Sequence, residues 1–244
     1  MNTNSNAYTI IYTTLVVVVV AAVLAFAAGR LGPAQQANAK AETLRQMMAA
    51  AKVETTENLY ASANDAILSL YSDNIEEAFA VSLKGDTLRR LATEKSKIEL
   101  IDNLKPQDKA IKAGGEPELP VYKFKSGISV IPVYGAGLWG PIWGYIAVEA
   151  DGVTIKGAYF DHESETPGLG AKIKDEAWFR EKFEGRRIAF GTETPFVLAK
   201  NAEASLADNA VDAITGATMT SKGLGAALEV WFAAYSAYFT KTAE

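Results

Sequence analysis

The chain has 244 residues, 49% of them hydrophobic, and a formal net charge of −5, which is enough for a membrane anchor and one or two domains with apolar cores of their own. Its modest acidity and the lack of any basic stripe exclude nucleic-acid binding. Cysteine is absent and histidine occurs once, as His162, so disulfides, iron–sulfur ligation, thiol nucleophiles and multi-histidine metal sites are excluded; no metal site is expected, and any redox chemistry falls to an organic cofactor.

The first element is the apolar run over residues 10–28, which includes five consecutive valines at 16–20. About 19 such residues, at a rise of 1.5 Å each, cross a hydrocarbon core of roughly 30 Å. Residues 1–9 carry no Lys or Arg, and the run exceeds the apolar core of a signal peptide, so a retained single span is expected over a cleaved leader. No acidic or basic side chain lies inside it, which fits an anchor and not an ion path. Arg30, Lys40 and Arg45 all follow the span and nothing basic precedes it, so the positive-inside rule points the large domain towards the cytoplasm.

Pro33 marks the exit from this helix, and residues 34–53, with Leu44, Met47, Met48 and Ala51 at helical spacing, predict a separate juxtamembrane helix. Residues 59–83 read as helix, turn and strand. The stretch 105–120, with its prolines and Gly114-Gly115, reads as a loop and a subdomain boundary. The predicted divisions are a tail over 1–8, a transmembrane helix over 9–29, a membrane-proximal part over 30–119 and a binding domain over 120–244.

Beyond Pro120, residues 121–125 alternate, Ser126-Gly127 turns, and 128–133 forms a second strand. Residues 143–150 and 153–160 are β-rich runs joined by Asp151-Gly152, a hairpin turn. Residues 175–183, with Trp178, Phe179 and Phe183, read as a short amphipathic helix ended by Gly185. Residues 221–239 carry Leu224, Ala227, Leu228, Trp231, Tyr235 and Tyr238 along one face, a core-facing helix. No internal repeat is evident. The sum is an α+β fold: a single N-terminal transmembrane helix, then a domain built on an antiparallel sheet flanked by helices.

Chemistry concentrates in residues 212–223, where Thr215, Thr218, Thr220 and Ser221 surround Gly216-Ala217 just ahead of the last helix. Thr220 or Ser221 reads as a helix N-cap, and such a terminus, with Lys222 beside it, seats a phosphate. Gly216 and Ala217 leave room for a bulky planar ligand. Two further loops, residues 135–145 with Leu138 and Trp139 and residues 165–170 with Glu165, Thr166, Gly168 and Leu169, add close backbone approach, apolar faces and polar groups.

Asp212-Ala213-Ile214-Thr215-Gly216-Ala217-Thr218 resembles the flavinylation signature Asp-x-x-Ser/Thr-Gly-Ala-Thr, whose last threonine carries FMN through a phosphoester made by a dedicated transferase from FAD and magnesium. Together with Gly137-Leu138-Trp139, residues 144–152 and residues 162–170, in this order and spacing, it makes the chain similar to the C subunits of sodium-translocating NADH:quinone oxidoreductases. The G subunits of Rnf-type ferredoxin:NAD oxidoreductases share the Glu-Thr-Pro-Gly-Leu-Gly loop and the signature, but differ around Leu138-Trp139 and are usually shorter.

The resemblance implies FMN esterified to Thr218. It implies a ring pocket from Leu138, Trp139, Glu165, Thr166, Gly168 and Leu169, and a linkage region from Thr215, Gly216, Ala217, Thr220 and Lys222. Asp212 and Thr215 then serve transferase recognition or fix the turn. It implies a single-pass subunit of the bacterial inner membrane, with a short cytoplasmic tail and the domain on the outer face, against the charge rule. Its partners are the A, B, D, E and F subunits, with B, D and E nearest. The subunit is inactive alone and relays electrons from a membrane iron–sulfur centre to the FMN of the B subunit, coupled to Na+ export and ubiquinone reduction. The alternatives are an Rnf-type G subunit and a membrane-anchored scaffold without flavin, whose hydroxyls only cap a helix.

Overall fold

The computed structural model describes residues 6–201 and 208–242. Most of the expected tail over residues 1–8 therefore lies outside the described residues. The chain divides into two compact units, with the boundary after Glu42.

Helix α1 runs over Asn6–Ala50 as one element. Its apolar stretch is long enough to cross a membrane by length and composition. Pro33 lies inside it and does not end it. A proline removes one N–H and crowds the carbonyl four residues back, a cost of about 3 kcal/mol. Helix-favouring neighbours on both sides, including Ala27, Ala28, Ala34, Gln35 and Ala37, carry the helix through, so the predicted break is not there.

The second unit begins with the last turns of α1, then the short helices α2 (Thr56–Ala61) and α3 (Asn64–Asn74). Strands β1 (Ile75–Val81) and β2 (Thr87–Leu91) precede helix α4 (Leu104–Lys112), which occupies part of the stretch predicted as loop. Pro106 sits in its first turn, where the missing N–H has no intrahelical partner to lose. Strands β3 (Leu119–Phe124), β4 (Ser129–Ala136), β5 (Pro141–Val148) and β6 (Ile155–His162) follow. They join β1 and β2 in one antiparallel six-stranded sheet of order β2-β1-β3-β4-β5-β6. The predicted division after residue 119 falls just inside β3, after its first residue, within this unit. Asp151-Gly152 turns between β5 and β6, as expected from the sequence, with Gly152 at φ 74°.

Next come α5 (Lys172–Asp175) and α6 (Ala177–Glu181), where one helix was expected. Glu176 is extended between them, and the Arg180 guanidinium donates to the Lys174 carbonyl left free at the break. Strands β7 (Val197–Ala199) and β8 (Ala210–Asp212) pair in parallel, and helix α7 (Thr218–Thr242) closes the chain.

Alternation along the strands divides the core between the two faces of the sheet. Leu119, Val121, Ile131, Val133, Ile142 and Ile146 share a cluster with Leu224, Leu228, Trp231, Phe232 and Tyr235 of α7. On the other face, Phe124 meets Tyr71 of α3 edge-on, with ring centroids 6.1 Å apart, and the Tyr145 and Thr43 side chains share a hydrogen bond. Trp231, fully buried, directs its Nε1–H at Asp108 of α4, 3.3 Å away. The start of α7 is thereby pressed against the far end of β4, which brings three loops together.

Candidate functional site

The first loop is the β4–β5 hairpin, closed by the Gly137 N–H donating to the Gly140 carbonyl at 2.8 Å. Its tip is Leu138-Trp139, in place of the Asn-Gly type of pair that usually turns a hairpin. The tip is held from outside: the N–H groups of Leu138 and Trp139 donate to Oε1 of Glu165 at 2.7 and 2.9 Å. Ser164 adds a bond to the Trp139 carbonyl at 3.0 Å.

The second loop, residues 163–171, supplies that carboxylate. Glu165 is only 4% exposed, and its Oε2 accepts the Thr220 hydroxyl of α7 at 2.6 Å. A Cβ on Gly137 would lie 2.3 Å from Oε1, and one on Gly170 2.4 Å from Oε2, so glycine at both positions makes room for the carboxylate. Burial raises the Glu165 carboxyl, but the hydrogen bonds from Thr220, Trp139 and Leu138, with His162 nearby, bring it below its ordinary value. Glu165 is thus a charged brace tying the hairpin tip to α7. The sequence places it in the ring pocket; here both of its oxygens accept donors from the protein itself.

The third segment leads into α7. The Ala217 N–H donates to the Ile214 carbonyl at 3.1 Å, a tight turn with Gly216 at φ 85°, a region that disfavours any side chain. The first helical bond follows at once, from the Ser221 N–H to the Ala217 carbonyl at 2.9 Å. The helix therefore starts at Thr218, three residues earlier than the sequence reading had it. Thr220 and Ser221 are not caps: Thr220 donates to Glu165, and Ser221 Oγ accepts the Ile214 N–H at 3.1 Å.

Thr218 itself is exposed, and among the described residues no hydrogen bond engages its hydroxyl. Lys222, one turn on and also exposed, faces the same side of the helix with no ion pair among the described residues. Around them stand four exposed apolar side chains: Leu138 at 50%, Trp139 at 66%, Leu169 at 46% and Met219 at 56%. Thr166, Gly168, Thr215 and Gly216 lie on the exposed part of the same loops, while Ala217 is buried as the helix enters the core. A Cβ on Gly216 would sit 3.4 Å from Leu169 Cδ2, so the second and third loops touch there.

Leu138, Trp139, Leu169 and Met219 are thus exposed on segments that Glu165 ties to the start of α7, whereas Glu165, Ala217 and Thr220 are buried. Residues 137–233 match the FMN-binding domain family. The first hairpin tip, the Glu165 loop and most of α7 all lie within that match.

The chain is also similar to the C subunit of the Na(+)-translocating NADH-quinone reductase of Neisseria meningitidis serogroup A, 35% identical over 108 residues, or 44% of this chain and 42% of that protein. The corresponding protein of Vibrio anguillarum is 34% identical over 116 residues, covering 46% of this chain and 45% of that one. The matched stretches span less than half of either relative. Whole-fold likeness reaches further. The crystal structure of the same kind of C subunit from Parabacteroides distasonis superposes with a TM-score of 0.68 at 28% identity, over 84% of this chain and 95% of that one. Shewanella oneidensis NqrC gives 0.62 at 26% identity, over 82% and 96%.

Sequence reasoning missed Met219, which its place beside Thr218 in the signature could have flagged. It also left His162 aside, whose Nδ1 accepts the Glu165 N–H at 3.1 Å. The polar cluster of Gln46, Asp161 and Lys174 carried no sequence signal, because its members are far apart in the chain and meet only after folding.

Proposed function

We propose that this chain carries FMN on Thr218 and serves as the C subunit of a Na+-translocating NADH-quinone reductase. There it stations a redox group between a membrane iron–sulfur centre and the FMN of the B subunit. The observation that carries the reading is the exposed Thr218 hydroxyl at the start of a 25-residue helix, with no hydrogen bond among the described residues, beside the exposed apolar side chains of Leu169 and Met219.

The residues fit the group. The first N–H groups of α7 and the Lys222 ammonium offer donors and positive potential to a phosphodiester on Thr218. Leu138, Trp139, Leu169 and Met219 supply a flat apolar face, and Gly168 and Gly216 keep the backbone low beside it. When bound, FMN supplies the electron-transfer chemistry that this chain's own side chains lack. The ester would form when the Thr218 oxygen attacks the flavin-side phosphorus of FAD on a transferase, with AMP leaving and the hydroxyl proton lost. A surface this open holds a ligand weakly, and a covalent tether offsets that by keeping the ring at high effective concentration. The chain would sit in the bacterial inner membrane through α1, with residues 43–242 on the outer face and the A, B, D, E and F subunits around it.

The test is a denaturing gel of the full chain co-expressed with a flavin transferase. The wild type should show a flavin-fluorescent band that Thr218→Val abolishes. A dark wild-type band would refute the flavin reading. Loss of fluorescence in Thr220→Val with retention in Thr218→Val would move the acceptor.

A further inference from the structure

His162 is the chain's single histidine and the last residue of β6. Its own backbone N–H donates to Oδ1 of Asp161 at 2.8 Å, and its Nδ1 accepts the backbone N–H of Glu165 at 3.1 Å. A neutral imidazole that accepts at Nδ1 keeps its proton on Nε2. An imidazolium carries N–H on both nitrogens and accepts from neither. Protonation would therefore set two N–H groups against each other at the residue whose carboxylate holds both the hairpin tip and Thr220.

Charged groups lie on the elements beside His162. Asp161, on the same strand, is buried and paired with Lys174 of α5 at 2.9 Å. Glu163 and Glu165 come from the loop that follows, and Glu165 is coupled to the ring electrostatically. Across the sheet, β5 pairs His162 with Ile142, which brings no charge. The Asp161 carboxylate is further fixed by Gln46 Nε2 at 2.8 Å, and Gln46 Oε1 accepts the Trp143 indole N–H at 3.1 Å. His162 thus touches the buried polar cluster through its backbone N–H and the Glu165 backbone through its ring.

We propose that His162 is a positioning residue for the flavin surface: its neutral ring seats Glu165, and with it the Leu138-Trp139 tip and Thr220, and protonation at Nδ1 releases that seat. The functional half rests on the flavin reading above; the hydrogen-bond half does not. The flavin environment should then respond to protonation of this ring.

The experiment uses the full chain in detergent, loaded by a co-expressed transferase, with FMN emission followed from pH 5 to pH 8. Wild type should show one transition. His162→Asn, whose amide oxygen can accept the same N–H and does not titrate, should lose the transition and hold the wild-type pH 8 value throughout. His162→Ala should lose it too and hold the pH 5 value. A wild-type transition surviving in His162→Asn, or His162→Ala matching wild type at pH 8, would overturn the proposal.

A second measurement needs no flavin. With only one histidine, 15N-histidine NMR of the unloaded chain reads a single imidazole. Nδ1 should be unprotonated at pH 8, and the Glu165 amide shift should follow the ring's titration. A proton on Nδ1 at pH 8 would overturn the proposal. A wild-type chain that never takes flavin would sink the flavin reading alone and leave this arm to decide the hydrogen bond.

Discussion

Glu165 gathers donors from residues 27, 26 and 55 positions away in sequence, so its loss is felt in three segments at once. Glu165→Gln keeps the size but turns an –NH2 towards donors, and hydrogen bonds to a charged group are worth about 1.5–3 kcal/mol each. A destabilisation of about 2–3 kcal/mol is expected in denaturant titrations at pH 7. The pH dependence follows from the lowered carboxyl. Its contribution is whole above the ordinary value of 4.5 and is lost as pH falls through the lower folded value, so wild type should lose stability in that acid window and Glu165→Gln should lose less. Equal acid slopes in the two proteins would contradict the brace. At this scale the sequence was legible where chemistry is local. The exposure of Leu138, Trp139 and Leu169 follows from their place in tight loops, but Glu165's inward direction could not be read, because its donors come from distant segments. Arg45 shows the same limit. Counted from the sequence as a topology charge, it is buried and donates to the Leu59 and Ser62 carbonyls and to Asn64 Oδ1, so it has a structural role that the positive-inside count ignored.

Among the elements, the strands and the long last helix were readable because period-two and helical spacing leave a mark in one sequence. Their ends were less so. Helix α7 starts early because the Gly216 turn, and not a hydroxyl cap, delivers the chain into it. Helix α4 escaped because Pro106, taken as a breaker, sits in a first turn where proline is tolerated. The contact of α7 with β4 gives a sharp prediction. A Cβ on Gly223 would lie 2.1 Å from the Ala136 carbonyl oxygen, and backbone on both sides cannot yield cheaply. Gly223→Ala should cost about 1–3 kcal/mol by chemical denaturation and weaken flavin emission, because Thr218 rides on the same helix end. Unchanged stability would mean that the two elements are not pressed together. Trp231→Ala, farther along the helix, should cost more, about 3–5 kcal/mol, through the cavity it leaves.

Across the whole molecule, an apolar helical segment is joined to a unit with its own core, and the boundary between units follows Glu42. The last turns of α1 belong to that core, where Gln46 and Met47 are buried. A chain lacking residues 1–30 should therefore leave the membrane fraction yet melt within a few degrees of the full chain; membrane association after truncation would argue against α1 as the anchor. The antiparallel sheet and the α+β class were visible beforehand, whereas the joining of β1 and β2 to the same sheet was not, because pairing across a helix and a loop leaves no trace in local pattern. The flavin reading turns on one bond. Its most direct test is the intact mass and peptide fragmentation of full-length chain loaded by a flavin transferase. The predicted result is a single increment of one FMN less one water, mapped to Thr218 and absent from Thr218→Val. An unmodified chain, or an increment mapped to Thr215 or Thr220, would contradict it.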